Sequence, residues 1–166
     1  MKKDCKCRTQ SETQIIRRFT EHLEFFKNLI TENGKDYHIK CCSVLKHKFY
    51  PKNSIIIDYN SQAKFFSIIA SGRVLLFSYD DEKDNISDFA NVYNTRENMD
   101  GLNEIKELTV GQTFGDLSLI GEKQNQLGVI SKEDCHLLVI EKKDFNQILS
   151  ILLYNKYKCK MFFRRN

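Results

Sequence analysis

Apolar residues recur at two different periods along this chain. Ile15, Phe19, Leu23, Phe26 and Ile30 are spaced by three and four, which puts them on one stripe of an α-helix. The tetrapeptide "SETQ" just before them reads as a capping box, with Ser11 as N-cap and Gln14 three residues on. Asn33 and Gly34 supply a stop. A second, shorter helix fits Tyr37 to Leu45, with Val44 and Leu45 as its inward residues. Residues 1–10 are polar and are expected to be disordered.

After Pro51, the only proline, the texture changes to short β-branched and aromatic runs. These are "SIIIDY", "KFFSIIA", "RVLLFSY", "LGVIS" and "HLLVIE", punctuated by turn-formers such as Asn60, Ser61 and Gly72. Such spacing predicts six to eight short strands in a sandwich, jelly roll or barrel. A charged, Asn-rich stretch at about 80–104 is too long for a routine hairpin loop and reads as an insertion between two strands. From Lys142 the helical period returns, with Phe145, Ile148, Leu149 and Leu152 on one stripe. The tail "YNKYKCKMFFRRN" alternates aromatic and basic residues. It is expected to pack back on the domain; a membrane surface or a lead into a further segment are the other readings. The organisation expected is therefore a disordered 1–10, helices over 11–47, a β-roll over 48–141 and a helix with tail over 142–166. No internal repeat is visible.

Composition narrows the function classes. The chain of 166 residues is 41% hydrophobic and 29% charged, ordinary for a folded domain of that length. No apolar run approaches the roughly 18 residues of a membrane span, and "MKKDCKCRTQ" lacks the apolar segment of a secretory signal, so the expected location is cytoplasmic. The net charge of +4 is mild, with basic residues at both ends and acid in the middle, which speaks against nucleic acid. The six cysteines show no C-x-x-C spacing, so zinc is poorly supported and the thiols are expected to be reduced. His38 and Cys42 sit four apart and are a conceivable metal pair, although a half-buried histidine beside core thiols is the plainer reading. No nucleophile–base pair stands out, and His136, in a strand-like run, reads as a packed or surface histidine, so no catalytic residue is assigned.

The motif that carries most information is "TFGDLSLIGEKQNQLGV", residues 113–129. Together with "FYPKNSIIIDYNSQAKFFSIIASGRV" and "HLLVIEKKDFNQIL" it resembles the cyclic nucleotide-binding domain family, the fold of the catabolite activator protein and of protein kinase A regulatory subunits. Phe66, Ile68, Ile69, Gly72 and Val74 match the first half of the family pattern. Leu108, Gly111, Phe114, Gly115, Leu117 and Leu119 match the second, and the resemblance spans about residues 23–150. It implies a mainly β fold, a β-roll or jelly roll with flanking α-helices.

The resemblance also implies a ligand site. In the family a cyclic phosphate sits at the N-terminus of a short helix, where free N–H groups favour an anion. A glycine allows close approach, a carboxylate takes the ribose 2′-hydroxyl, and a loop arginine pairs with the phosphate. Carried over, Phe114, Gly115, Asp116, Leu117 and Ser118 would form the phosphate end, with Asp116 one methylene shorter than the family glutamate. An ungapped alignment puts Asn125 at the arginine position and Gly128 at the threonine position. Lys123 is a candidate substitute cation, a point charge in place of a fork; a solvated loop residue is the plainer reading. Tyr154, Tyr157 or Phe162 are candidates to stack on a base or to pack on the roll. Asn53 and Asn60 stand at family glycine positions and tolerate positive φ, whereas Ala63 does so less well.

The function expected is a divergent, non-catalytic interaction or structural module with lost or weak cyclic nucleotide binding. It would need no cofactor and have a protein partner or larger assembly, a cytoskeletal one among them. The alternative is a working cAMP or cGMP sensor that signals through its C-terminal helices.

Overall fold

The computed structural model describes residues 8–79, 102–121 and 124–163. Lys123 and residues 80–101 of the insertion lie outside the described residues, as do residues 1–7.

Three helices open the described chain: α1 (Gln10–Thr20), α2 (Glu24–Asn33) and α3 (Lys35–Val44). The capping box is Thr9 with Glu12, not Ser11 with Gln14. Glu12 N donates to Thr9 Oγ1 at 3.2 Å, and Thr9 N donates to Glu12 Oε2 at 2.7 Å. A carboxylate in the first turn faces the positive end of the helix dipole, which a glutamine does not exploit. The single stripe expected from Ile15 to Ile30 is also broken. Thr20 Oγ1 donates back to Ile16 O at 2.9 Å, the chain bends, and α2 starts from an extended Leu23. In α1 the inward face is rotated by one residue. Thr13 and Thr20 are buried and Ile16 packs on the core, while Ile15 and Phe19 are 55% and 72% exposed.

Eight strands follow among the described residues: β1 (Lys46–Tyr50), β2 (Ile55–Ile57), β3 (Phe65–Ser71), β4 (Val74–Tyr79), β5 (Leu102–Leu108), β6 (Thr113–Phe114), β7 (Gly128–Ser131) and β8 (Cys135–Glu141). Residues 102–104, which the sequence assigns to the insertion, are already in β5. They form two antiparallel sheets, ordered β1-β8-β3-β6 and β2-β7-β4-β5. A short helix, α4 (Asp116–Ile120), lies between β6 and β7. Two more helices, α5 (Lys142–Ile148) and α6 (Ser150–Phe163), close the described chain.

Alternation along the strands sorts side chains onto two faces. In β8, Leu137 and Val139 join Ile57, Ile69, Val74, Phe114 and Val129 in one cluster drawn from both sheets. Leu138 and Ile140 belong to the other cluster, where Phe66 and Ile68 meet the helices through Phe26, Leu29, Phe145 and Leu149. Phe66 is fully buried, with ring centroids of Phe25 and Phe145 at 5.2 and 5.4 Å. Asn53 and Asn60 take positive φ of 62° and 58°, so both make their turns without glycine. The fold is a β-roll flanked by helices. No helix among the described residues is long and apolar enough to cross a membrane.

Candidate functional site

The β6–α4 junction sets the first half of the site. Phe114 is buried in β6, opposite Ser67 of β3. Gly115 follows with φ of 90°, and a Cβ placed on it would sit 2.7 Å from the Phe65 carbonyl oxygen. Both the left-handed backbone and this approach require glycine. The turn delivers Asp116 as the first residue of α4, 8% exposed. Leu117 points outward at 65% exposure and Ser118 is half-buried.

Asp116 is already engaged. The Tyr157 hydroxyl of α6 donates to its Oδ2. Burial, and then the charge of Asp116 and this hydrogen bond, push the Tyr157 pKa well up, so the phenol keeps its proton and remains a donor. One residue earlier, Lys156 Nζ donates to both carboxylate oxygens of Glu32 in α2, at 3.0 and 3.1 Å. At Lys156 and Tyr157 α6 therefore packs back on the domain, Tyr157 as a hydrogen-bond donor. Tyr154 is 52% exposed, and the side chain of Phe162 lies outside the described residues. Beneath α6 is a cleft of about 280 Å³, lined by Glu24, Glu32, Lys106, Asp116, Lys156 and Tyr157 among others.

The loop before β7 sets the second half. Asn125 is 5% exposed. Its Nδ2 donates to Ser61 Oγ at 3.0 Å and its backbone N–H to Ser61 O at 2.8 Å. Its carbonyl accepts from Asn60 N at 2.8 Å, and Ser61 Oγ passes its own proton to Asp58 O at 2.6 Å. Gln62 and Gln124 continue the pairing as a β-bridge. The loop is thus fastened to the β2–β3 turn by a neutral amide that donates one of its two N–H groups to Ser61.

Gly128 lies directly opposite Phe77 across the β4–β7 ladder. A Cβ at Gly128 would run into the Phe77 ring, which is fully buried beside Leu75 and Ile130. The ring fills the space that a threonine side chain would need. Of the residues assigned from sequence, the structure brings Gly115 and Asp116 to one junction and holds Asn125 and Gly128 against other partners.

The conceivable metal pair resolves differently. His38 is 1% exposed, more buried than expected, and its Nε2 lies 2.8 Å from Thr20 Oγ1, which also contacts Cys42 Sγ at 3.6 Å. Burial, and secondarily the Arg17 charge, lower the His38 pKa. Burial, with Cys42 adding to it, pushes the Cys41 thiol up to about 12, and burial raises Cys42 too, so both stay protonated and poor ligands. No group of three or more metal-ligating side chains occurs among the described residues.

With this geometry in view, known proteins can be compared. The profile of the cyclic nucleotide-binding domain matches residues 47–151. The chain belongs to the cyclic nucleotide-binding domain family. Human cGMP-dependent protein kinase 2 is 27% identical over 139 residues, 83% of this chain but 16% of the kinase. The chain therefore spans about a sixth of that relative's length. A regulatory subunit of a cAMP-independent protein kinase A from Trypanosoma cruzi, bound to guanosine, superposes with a TM-score of 0.65 at 14% identity, covering 84% of this chain and 42% of that one. The regulatory domain of Toxoplasma gondii protein kinase A with cAMP gives 0.66 at 17%, covering 89% and 50%. At these identities the two structures speak for the shared fold.

Sequence reasoning missed Ser61, Phe77 and the pairing of Tyr157 with Asp116. Ser61 was visible only as a turn residue, and Phe77 only as one apolar position in a strand.

Proposed function

We infer that this chain is a divergent cyclic nucleotide-binding domain whose nucleotide binding is lost or weak and which works as a non-catalytic interaction or structural module. The observation that carries the reading is Asn125. A neutral, buried amide spent on Ser61 stands where the resemblance places a phosphate-binding arginine. A phosphate brought there loses its water and meets no cation among the described residues of the loop. A charge-assisted hydrogen bond contributes about 1.5–3 kcal/mol, so its absence weakens a ligand by about ten- to a hundredfold. The Phe77 ring over Gly128 supports the same reading. The partner is then a protein or larger assembly, a cytoskeletal one among them, in the cytoplasm, with no cofactor required.

The retained Gly115–Asp116 junction favours a second reading, a working sensor. There a ligand's ribose would displace the Tyr157 hydroxyl from Asp116 and shift α6, a population change driven by differential affinity. The guanosine seen in one structural neighbour makes a nucleoside, which needs no phosphate clamp, a ligand to include.

Isothermal titration calorimetry with cAMP, cGMP and guanosine up to millimolar concentration, on the wild type and on Asn125→Arg, tests these readings. The module reading expects a silent wild type. A wild type that binds cAMP or cGMP at micromolar Kd overturns it, and Lys123 becomes the first residue to replace. Guanosine heat alone selects the sensor reading with a nucleoside ligand.

A further inference from the structure

Away from the candidate nucleotide site, two arginines line one cleft at the junction of α1 and α3. Arg8, just ahead of α1, donates from Nη1 to the Cys42 carbonyl in the last turn of α3, at 2.9 Å. Arg17 of α1 is close enough for its charge to act on both His38 and Cys42, and the charge of Arg8 acts on Cys42 as well. Between them is a cleft of about 230 Å³, lined by Arg8, Gln10, Thr13, Gln14, Arg17 and Ser43, with Ile39 as its one apolar wall.

Two features of this cleft are unexplained by folding alone. Arg17 Nε is buried and has no hydrogen-bond partner. A buried donor left unmade carries its full desolvation cost, and an acceptor brought to it relieves that cost. Nor do the ion pairs among the described residues include Arg8 or Arg17. Glu12 is turned to cap Thr9, and Glu21 is exposed one turn beyond Arg17. The hydroxyls on the wall have already given their protons away: Thr13 donates to Thr9 O at 3.1 Å and Ser43 to Lys40 O at 2.7 Å. The donors left are the arginines and the two glutamine amides.

We propose that the α1–α3 cleft is an anion site for a phosphate dianion, inorganic phosphate or a phosphate monoester. Two guanidiniums match two negative charges, and their forks fit phosphate oxygens bidentately. A carboxylate or a cyclic phosphodiester carries one charge and leaves one guanidinium unpaired. The volume admits a phosphate with a short substituent, since a water molecule takes about 30 Å³. The site uses different elements from the candidate nucleotide site and stands or falls independently of it.

The test is a titration of the ¹⁵N-labelled chain with inorganic phosphate and, separately, with O-phosphoserine, against sodium chloride at matched ionic strength. The Arg17 Nε–Hε resonance and the amides of α1 and α3 are followed. The expected result is a saturable shift there with Kd below about 1 mM. Arg8→Gln and Arg17→Gln should each weaken it by about tenfold or more, with the rest of the spectrum unchanged. Saturation by phosphate alone identifies the free anion, and saturation by both identifies a monoester site. Should Arg17→Gln not fold, the wild-type Arg17 resonance and Arg8→Gln carry the test. No saturable shift, an equal shift with chloride, shifts gathered at residues 115–118 and 125–128, or variants that bind like the wild type would each overturn the proposal.

Discussion

His38 shows how one buried side chain sets a pH limit. It is 1% exposed, packed on Phe26 with ring centroids 4.5 Å apart, and beside Thr20. Burial holds its folded pKa below the ordinary histidine value of 6.5. In the window between the two pKa values the unfolded chain binds more protons than the folded one, so stability rises with pH there and falls as pH drops below about 6.5. His38→Gln keeps a side-chain polar atom near Thr20 and has no proton to gain. Urea midpoints across pH 5 to 8 should fall more steeply for the wild type than for the variant; parallel curves would show that His38 does not titrate at this cost. Asn125 works at the same scale. Asn125→Ala deletes the bond to Ser61 and leaves that hydroxyl without its donor, an expected loss of about 1–2 kcal/mol in denaturant unfolding.

At the scale of elements, the roll is held where strands and helices meet by contacts far apart in sequence. Phe77 of β4 lies on Gly128 of β7. Gly128→Thr should therefore overpack this crossing and cost about 1–3 kcal/mol, and adding Phe77→Leu should recover part of the loss, read by thermal unfolding. A neutral Gly128→Thr would mean the ring moves freely aside. The α6–α4 contact rests on Tyr157 and Asp116. Tyr157→Phe removes the donor from a buried carboxylate, an expected cost of about 1–3 kcal/mol, with faster amide exchange along α6. Unchanged exchange would place the hold of α6 in Leu152 and Leu153 instead.

The elements that sequence reasoning found are those with strong periodicity. The runs around Phe66, Leu75 and Leu138 became β3, β4 and β8 because their β-branched and aromatic residues face packed layers on one or both sides. The strands it missed carry charge. β1 is "KHKFY", half-buried and exposed by turns, and β5 is "LNEIKEL" at the end of its sheet, with Glu104 to Glu107 exposed. Charged edge strands read as loop because solvent, not a core, sets their composition. β6 is too short for any period to show. The bend at Thr20 was hidden because the apolar spacing ran through it.

For the whole molecule, the family was legible and the state of its site was not. Gly115 and Asp116 are set by local backbone, so their places could be read from the "FGD" motif. The fates of Asn125 and Gly128 are set by Ser61 and Phe77, each about 50 residues or more away in the chain. Only the closed roll brings those partners together, and no local pattern encodes them.

The central inference is that cyclic nucleotide binding at the start of α4 and the 124–128 loop is lost or weak. It is tested most directly by ¹H–¹⁵N spectra of the wild type with cAMP and with cGMP at millimolar concentration. The account predicts no movement of the Gly115, Ser118, Asn125 and Gly128 amides, and Tyr157 unchanged. Saturable shifts at Gly115, Ser118 and Asn125, with α6 moving in step, would contradict it.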